Sequence, residues 1–182
     1  MLSETTTRFF GYYPGTVALV TAEHGGRRNV MSAGWHTALS AEPPLYGVAI
    51  GRERGTHPLI AENGRFGVNF LPFSLAWAVQ GAGSLSLRRG VDKFARLELE
   101  VLPSAPLALA GAYLHYGCEV AQIVETGDHD LVVGRVAEVR FDPVHYDGQG
   151  LFVGGAAVYL GRGAYVTTTR ERAVYPPDDF AD

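Results

Sequence analysis

With 182 residues, 15 basic against 19 acidic side chains and a net charge of −4, the chain lacks the basic footprint that a general nucleic-acid binder needs. Charged residues make up 19% and hydrophobic ones 47%, which excludes a largely disordered chain and predicts one domain with one core over residues 1–182. Twenty-three glycines, where average usage gives roughly 13, and ten prolines predict many turns and few long helices.

The N-terminus, MLSETTTRFF, has no basic region ahead of a long apolar run, so no signal peptide is expected and residues 1–11 read as an arm. A Pro-Gly turn then introduces a β-branched run, Val17–Thr21, and the turn Glu23–Gly26 leads into a second strand, Arg28–Ser32. Leu45–Ile50 follows Pro43-Pro44 and starts where proline is tolerated. Thr56–Asn63 reads as a helix with Thr56 as its N-cap, Pro58 in its first turn and Gly64 closing it. Phe66–Phe70 is a further strand. Ser74–Gln80 reads as a second short helix, capped by Ser74, ended by Gly81 and carrying a core Trp77. Ser84–Asp92 reads as a loop and Leu97–Leu102 as an edge strand. Ala112–Thr126 and Leu131–Phe141 flank Gly127–Asp130 as a long hairpin, Ala157–Leu160 is a last strand, and residues 167–182 form an arm. About seven short strands with two or three short helices predict a mainly β, closed or nearly closed barrel. The crossover helices of a doubly wound sheet are missing. No apolar run reaches the ~20 residues needed to span a bilayer. The single cysteine, Cys118, allows no intrachain disulfide and fits a reducing, cytoplasmic setting.

The commonest cofactor and nucleophile signatures are absent: no G-x-G-x-x-G after a strand, no phosphate loop, no G-x-S-x-G, no C-x-x-C and no H-E-x-x-H. His115 and Glu119 share a strand face but make too thin a set for a metal, and none is expected. Three segments remain. In Asn29-Val30-Met31-Ser32-Ala33-Gly34-Trp35 small side chains let a flat heterocycle approach the backbone, with Asn29 and Ser32 as donors and Trp35 as a wall; a glycine-bearing strand end with a core Trp fits the same letters. In Gly51–His57 two guanidinium groups precede a helix start, an arrangement suited to a phosphate, with Thr56 donating a hydroxyl; a solvated loop with an N-cap fits the same letters. Arg88–Phe94, with Lys93 the one lysine beside fourteen arginines, fits a second clamp for a phosphate or a nicotinamide dinucleotide, and composition alone fits a solvated turn as well. His129, between Asp128 and Asp130 at a hairpin tip, fits a residue lining a substrate entrance, and equally a plain surface-turn histidine.

Taken in order, YYPGTVALVT, NVMSAGW, LSAEPPLYGVAI, RGTHPLI, FGVNF, VDKF, GDHDLVVGRV and YLGRGAY resemble the flavin reductase-like family with the FMN-binding split β-barrel fold, most nearly its flavoredoxin-type branch, over residues 12–165. The resemblance implies that Asn29–Trp35 lies along a flavin ring, that Arg54, Thr56 and His57 hold the FMN phosphate, and that Lys93 approaches the flavin. It implies that His129 stands near the open face of the ring, where a nicotinamide stacks. It implies a homodimer and an NADH- or NADPH-dependent reductase of FMN, with FAD as an alternative flavin, supplying reduced flavin to a monooxygenase component. The alternative it leaves open is an FMN-holding electron carrier without turnover. Two departures stand out: Gly51-Arg52 replaces a more usual Ser-Pro-like pair, and Gly55 replaces an aromatic.

Overall fold

Strand-forming runs broken by glycine turns build one large curled sheet and two small ones. The computed structural model of the chain describes residues 13–168, the side chains of Arg88 and Pro106 excepted; the expected arms at 1–11 and 167–182 lie outside the described residues, apart from Thr167 and Thr168. The main sheet is formed by β2 (Ala18–His24), β3 (Arg27–Ala33), β4 (His36–Ala41), β5 (Pro44–Gly51), β6 (Arg65–Phe70), β9 (Leu114–Thr126) and β10 (His129–Phe141). Its order is β3-β2-β6-β9-β10-β5-β4, and all neighbours are antiparallel. The two edges, β3 and β4, are consecutive in the chain and joined only by Gly34-Trp35. Ala49 N–H donates to the Trp35 carbonyl at 2.9 Å. A sheet whose opposite edges lie two residues apart must curl on itself, so this one is a barrel split between β3 and β4. Trp35 sits at the seam.

The split barrel expected from the sequence is therefore the fold. β2 is buried on both faces, and its period of two sorts its side chains between two cores. Ala18, Val20 and Ala22 face the barrel interior with Val48, Ile50, Phe66, Val68 and Val132. Val17 and Leu19 face outward into a second core with Val30, Val79, Ala82 and Phe94. That second core lies under α2 (Ala76–Ser84) and α3 (Lys93–Arg96). Phe66 is fully buried, and its ring lies where a Cβ on Gly134 would come within 2.6 Å of it, so the close strand approach requires glycine there. α1 (Thr56–Asn63) packs on β2 and β3. Two small sheets complete the chain: β1 (Gly15–Thr16), β11 (Ala157–Gly161) and β12 (Ala164–Thr167) in one, β7 (Val101–Leu102) and β8 (Ala105–Leu109) in the other.

Several local expectations are corrected. Thr56 is not the N-cap of α1; the cap position is Gly55, and the Thr56 hydroxyl is engaged by Asn29. Gly64 closes the helix in the left-handed conformation as expected. The second helix starts later, after a 3₁₀ turn at Phe73–Leu75, and runs through Gly81. Gly81 serves packing rather than termination, because a Cβ there would collide with the Leu97 side chain. Trp77 is half exposed rather than core. Leu97 does not begin a strand: it caps α3 and is buried in the second core, and only Val101–Leu102 of the expected edge strand pairs, with β8. The long hairpin turns at Gly127-Asp128, and His129 and Asp130 already belong to β10.

Candidate functional site

A cavity of about 1360 Å³ opens at the split in the barrel. Its walls are the edge strand β3, the β5–α1 loop, the C-terminal half of α2, and the small sheet of β1, β11 and β12. Lys93 is set into the wall by its own helix. Asp92 caps α3 by accepting from the N–H groups of Phe94 and Ala95 at 3.0 and 3.2 Å. Phe94 is buried with the Arg28 guanidinium 4.4 Å above its ring. Lys93, at the first position of the helix, then runs between β3 and α2. It is only 5% exposed, and its Nζ donates to the carbonyls of Val30 at 2.8 Å and Ala82 at 2.7 Å. An ammonium has three N–H donors, so one is left for the cavity. Burial, with a smaller contribution from the Arg54 charge, lowers its pKa to about 8.

Asn29 lies close by on β3. Its Nδ2 donates to Thr56 Oγ1 at 2.8 Å, both residues being almost fully buried. Its Oδ1 is buried without a partner, a condition that costs about 1–3 kcal/mol unless a donor arrives. Arg54 lines the same corner with its Nε paired to Glu53 Oε1 at 2.9 Å. The loop carrying Arg54 and Thr56 is braced from behind. Asp130 accepts from Arg52 Nε at 2.8 Å through one oxygen, and its other oxygen lies 2.8 Å from His57 Nε2. Arg52 also reaches Glu125 at 3.0 Å. The Arg52 bond first, and His57 after it, hold the Asp130 carboxyl below its usual pKa against the opposing effect of desolvation. At the mouth, the Trp35 and His129 rings are 4.9 Å apart and tilted by 52°. His129 Nδ1 is 2.7 Å from Asp128 Oδ1, which lowers the Asp128 pKa.

Of the residues expected to hold the cofactor or serve hydride transfer, Asn29, Met31, Ser32, Ala33, Trp35, Arg54, Thr56, Lys93 and His129 line the cavity, whereas Val30 and His57 do not; nor does Arg52, the other guanidinium of the expected phosphate turn. Val30 points into the second core and contributes its carbonyl to Lys93. His57 turns onto Asp130. Met31 and Ala33 line the cavity beside Ser32, but the Ser32 hydroxyl is spent on the Val79 carbonyl of α2 and is not a free donor. His115 bonds Asn69 Oδ1 through Nδ1 at 2.9 Å, and Glu119 pairs with Arg135. Cys118 is buried, and burial pushes its thiol up to about 12. Sequence reasoning missed two parts of the cavity. One is the wall given by α2, whose residues read as a plain helix. The other is the β11–β12 turn, whose G-R-G letters were part of the resemblance but carried no role.

Residues 10–168 match the family model described as the flavin reductase like domain. A protein of Aeropyrum pernix is 37% identical over 131 residues, 70% of this chain; the match spans about half (49%) of that longer relative. The NADH-dependent FAD reductase of Streptomyces globisporus is 31% identical over 131 residues, covering 71% of each chain. In three dimensions the chain is similar to the FMN-binding protein from Thermus thermophilus crystallised with 1-cyclohex-2-enone. The TM-score is 0.84 and the identity 35%, over 96% of this chain and 98% of that one.

Proposed function

The chain belongs to the flavin reductase-like family, and on that premise we propose that it binds FMN at the split of the barrel and reduces flavin with a hydride from NADH or NADPH. The carrying observation is one wall that holds both a buried ammonium with an unused N–H and an orphaned amide oxygen. Those groups fit a flavin mononucleotide: Lys93 with Arg54 and Thr56 suits its phosphate, and Asn29 Oδ1 suits a ribityl hydroxyl. The edge strand adds backbone groups. The Val30 carbonyl, which Lys93 takes, points away from β2, and antiparallel alternation turns the backbone of Ser32 the same way, toward the side on which a ring would lie along β3.

When bound, the flavin supplies the hydride chemistry. The chain's own residues position and tune. Lys93 keeps a positive charge over the phosphate. Asp130, through Arg52 and His57, fixes the loop that presents Arg54 and Thr56. Trp35 and His129 form a tilted aromatic mouth against which a nicotinamide packs. His129, with Nδ1 committed to Asp128, has Nε2 left to orient the carboxamide. Holding two rings at reacting distance supplies much of the acceleration in such a transfer.

The FAD-reducing relative at 31% identity supports turnover. The relative named only for FMN binding supports a second reading, an electron carrier that is reduced once and waits for a partner. Aerobic mixing with NADH or NADPH and free FMN or FAD separates the two. Sustained loss of reduced nicotinamide supports the reductase, a single stoichiometric reduction supports the carrier, and failure to bind any flavin refutes both. We further propose a homodimer through the exposed apolar end of β10, Val139 and Phe141, with Val144 in the 3₁₀ turn that follows, and a monooxygenase as the consumer of reduced flavin. A monomeric mass in light scattering would remove the dimer.

A further inference from the structure

The cavity is larger than one flavin mononucleotide requires. Its volume of about 1360 Å³ exceeds the roughly 300–1,000 Å³ usual for sites that enclose drug-sized ligands. The lobe beyond Gln80 has no part in the function proposed above. That lobe is a built wall. Tyr165 Oη donates to Gln80 Oε1 at 3.2 Å, and Gln80 Nε2 donates to Ser84 Oγ at 3.0 Å. β1 holds the β11–β12 hairpin by pairing Gly15 with Tyr159 and Thr16 with Val158.

At the tip of that hairpin stands Arg162, with φ +52°, between Gly161 and Gly163, both also at positive φ. The left-handed region costs a side-chain-bearing residue on the order of 1 kcal/mol that a glycine does not incur. An arginine stands here all the same, and it lines the cavity. The cavity's other guanidinium, Arg54, is paired through Nε with Glu53. Arg162 forms no ion pair with any described residue. Next to it, the rings of Tyr159 and Tyr165 lie 5.0 Å apart at 48°, and both line the cavity. A guanidinium carried on a left-handed backbone, with no ion-pair partner among the described residues and two phenol rings beside it, has the chemistry of a phosphate clamp beside a purine platform.

We propose that this lobe takes the adenosine phosphate end of a dinucleotide, with Arg162 gripping a phosphate and the Tyr159–Tyr165 pair packing against the purine. The inference rests on the flavin-binding reading of the neighbouring lobe. Two dinucleotides carry this chemistry, FAD and the nicotinamide donor.

The test is calorimetry on the wild type and on Arg162→Gly, a change that relieves the backbone and therefore keeps or raises the melting temperature. FMN is titrated first, then ADP into the FMN-saturated protein. The expected result is ADP binding that weakens about tenfold or more in the variant while FMN binding changes less than twofold. If FAD binds the wild type more tightly than FMN and loses that advantage in the variant, the dinucleotide is FAD. If ADP competes with NADH or NADPH on the FMN-saturated protein, it is the nicotinamide donor. Absence of ADP binding, equal ADP binding by both proteins, or an equal loss of FMN and ADP overturns the inference and leaves the flavin reading standing. Failure of FMN to bind the wild type overturns the flavin reading itself.

Discussion

Replacing Lys93 with Met separates the charge of this side chain from its packing. Burial and the Arg54 charge lower the Lys93 pKa from 10.5 to about 8. A lowering of that size means that the charged form is disfavoured by about 3 kcal/mol in the folded protein. The sign follows from linkage: between pH 8 and 10.5 the unfolded chain holds a proton that the folded chain has released, so stability of the cofactor-free protein rises with pH across that window. Below pH 8 the destabilisation is present in full. Lys93→Met removes it but strands the carbonyls of Val30 and Ala82, each costing about 1–3 kcal/mol, so stability at neutral pH is expected to change little. Flavin affinity should behave differently. A charge-assisted bond to phosphate is worth about 1.5–3 kcal/mol, so Lys93→Met should weaken FMN binding about tenfold to a hundredfold. In the wild type, affinity should fall about tenfold between pH 7 and 9 as the ammonium of the free protein deprotonates, while the variant stays flat. Titration followed by flavin fluorescence measures both. A wild-type affinity constant across that range, or a variant binding as tightly as wild type, would refute the assignment of Lys93 to the phosphate.

Burial lowers the His115 pKa from 6.5 to about 4; stability is therefore lost as pH falls from 6.5 through 4, and denaturant melts should show His115→Gln losing about 3 kcal/mol less than wild type over that interval. Asp130→Ala frees Arg52 and His57 together, so FMN affinity should drop about threefold to tenfold though Asp130 itself does not line the cavity; unchanged affinity would show that the loop holds its shape without the brace. His129→Ala should slow hydride transfer in single-turnover mixing about tenfold while FMN affinity stays within twofold. Equal rates would reduce His129 to a turn residue.

The barrel was legible because its strands carry period-two or continuous apolar patterns between glycine and proline turns. Ala18–His24, Pro44–Gly51 and the β9–β10 hairpin stand close to where the letters place them. β4, His36–Ala41, escaped because most of its side chains are exposed and its pairing with β5 alone makes it a strand. α3 escaped for the opposite reason: at four residues it has no period to read, and only the Asp92 cap announces it. Gly81 misled because a glycine that ends a helix and a glycine that admits a neighbour's side chain look alike in sequence. Only the Leu97 contact tells them apart.

The site was half legible, and the division has a physical cause. Asn29, Arg54, Thr56, Lys93 and His129 stand out as candidates because charge and amide chemistry are visible in the letters, and all five line the cavity. The partition of roles among them was not, since it depends on which neighbour reaches each group first. His57 has the residue type of a phosphate ligand but meets Asp130, a strand away, and becomes a brace. Ser32 has the hydroxyl of a ligand donor but meets the Val79 carbonyl of α2. What decides these outcomes is the split itself. An edge strand offers one unpaired row of N–H and C=O groups, and β3 lies at the edge only because Gly34-Trp35 carries the chain across the seam to β4. Lys93 and α2 cover part of that row, at Val30 and beside Ser32. The rest opens on a cavity walled by residues more than a hundred positions away, and those partners come together only once the barrel has curled.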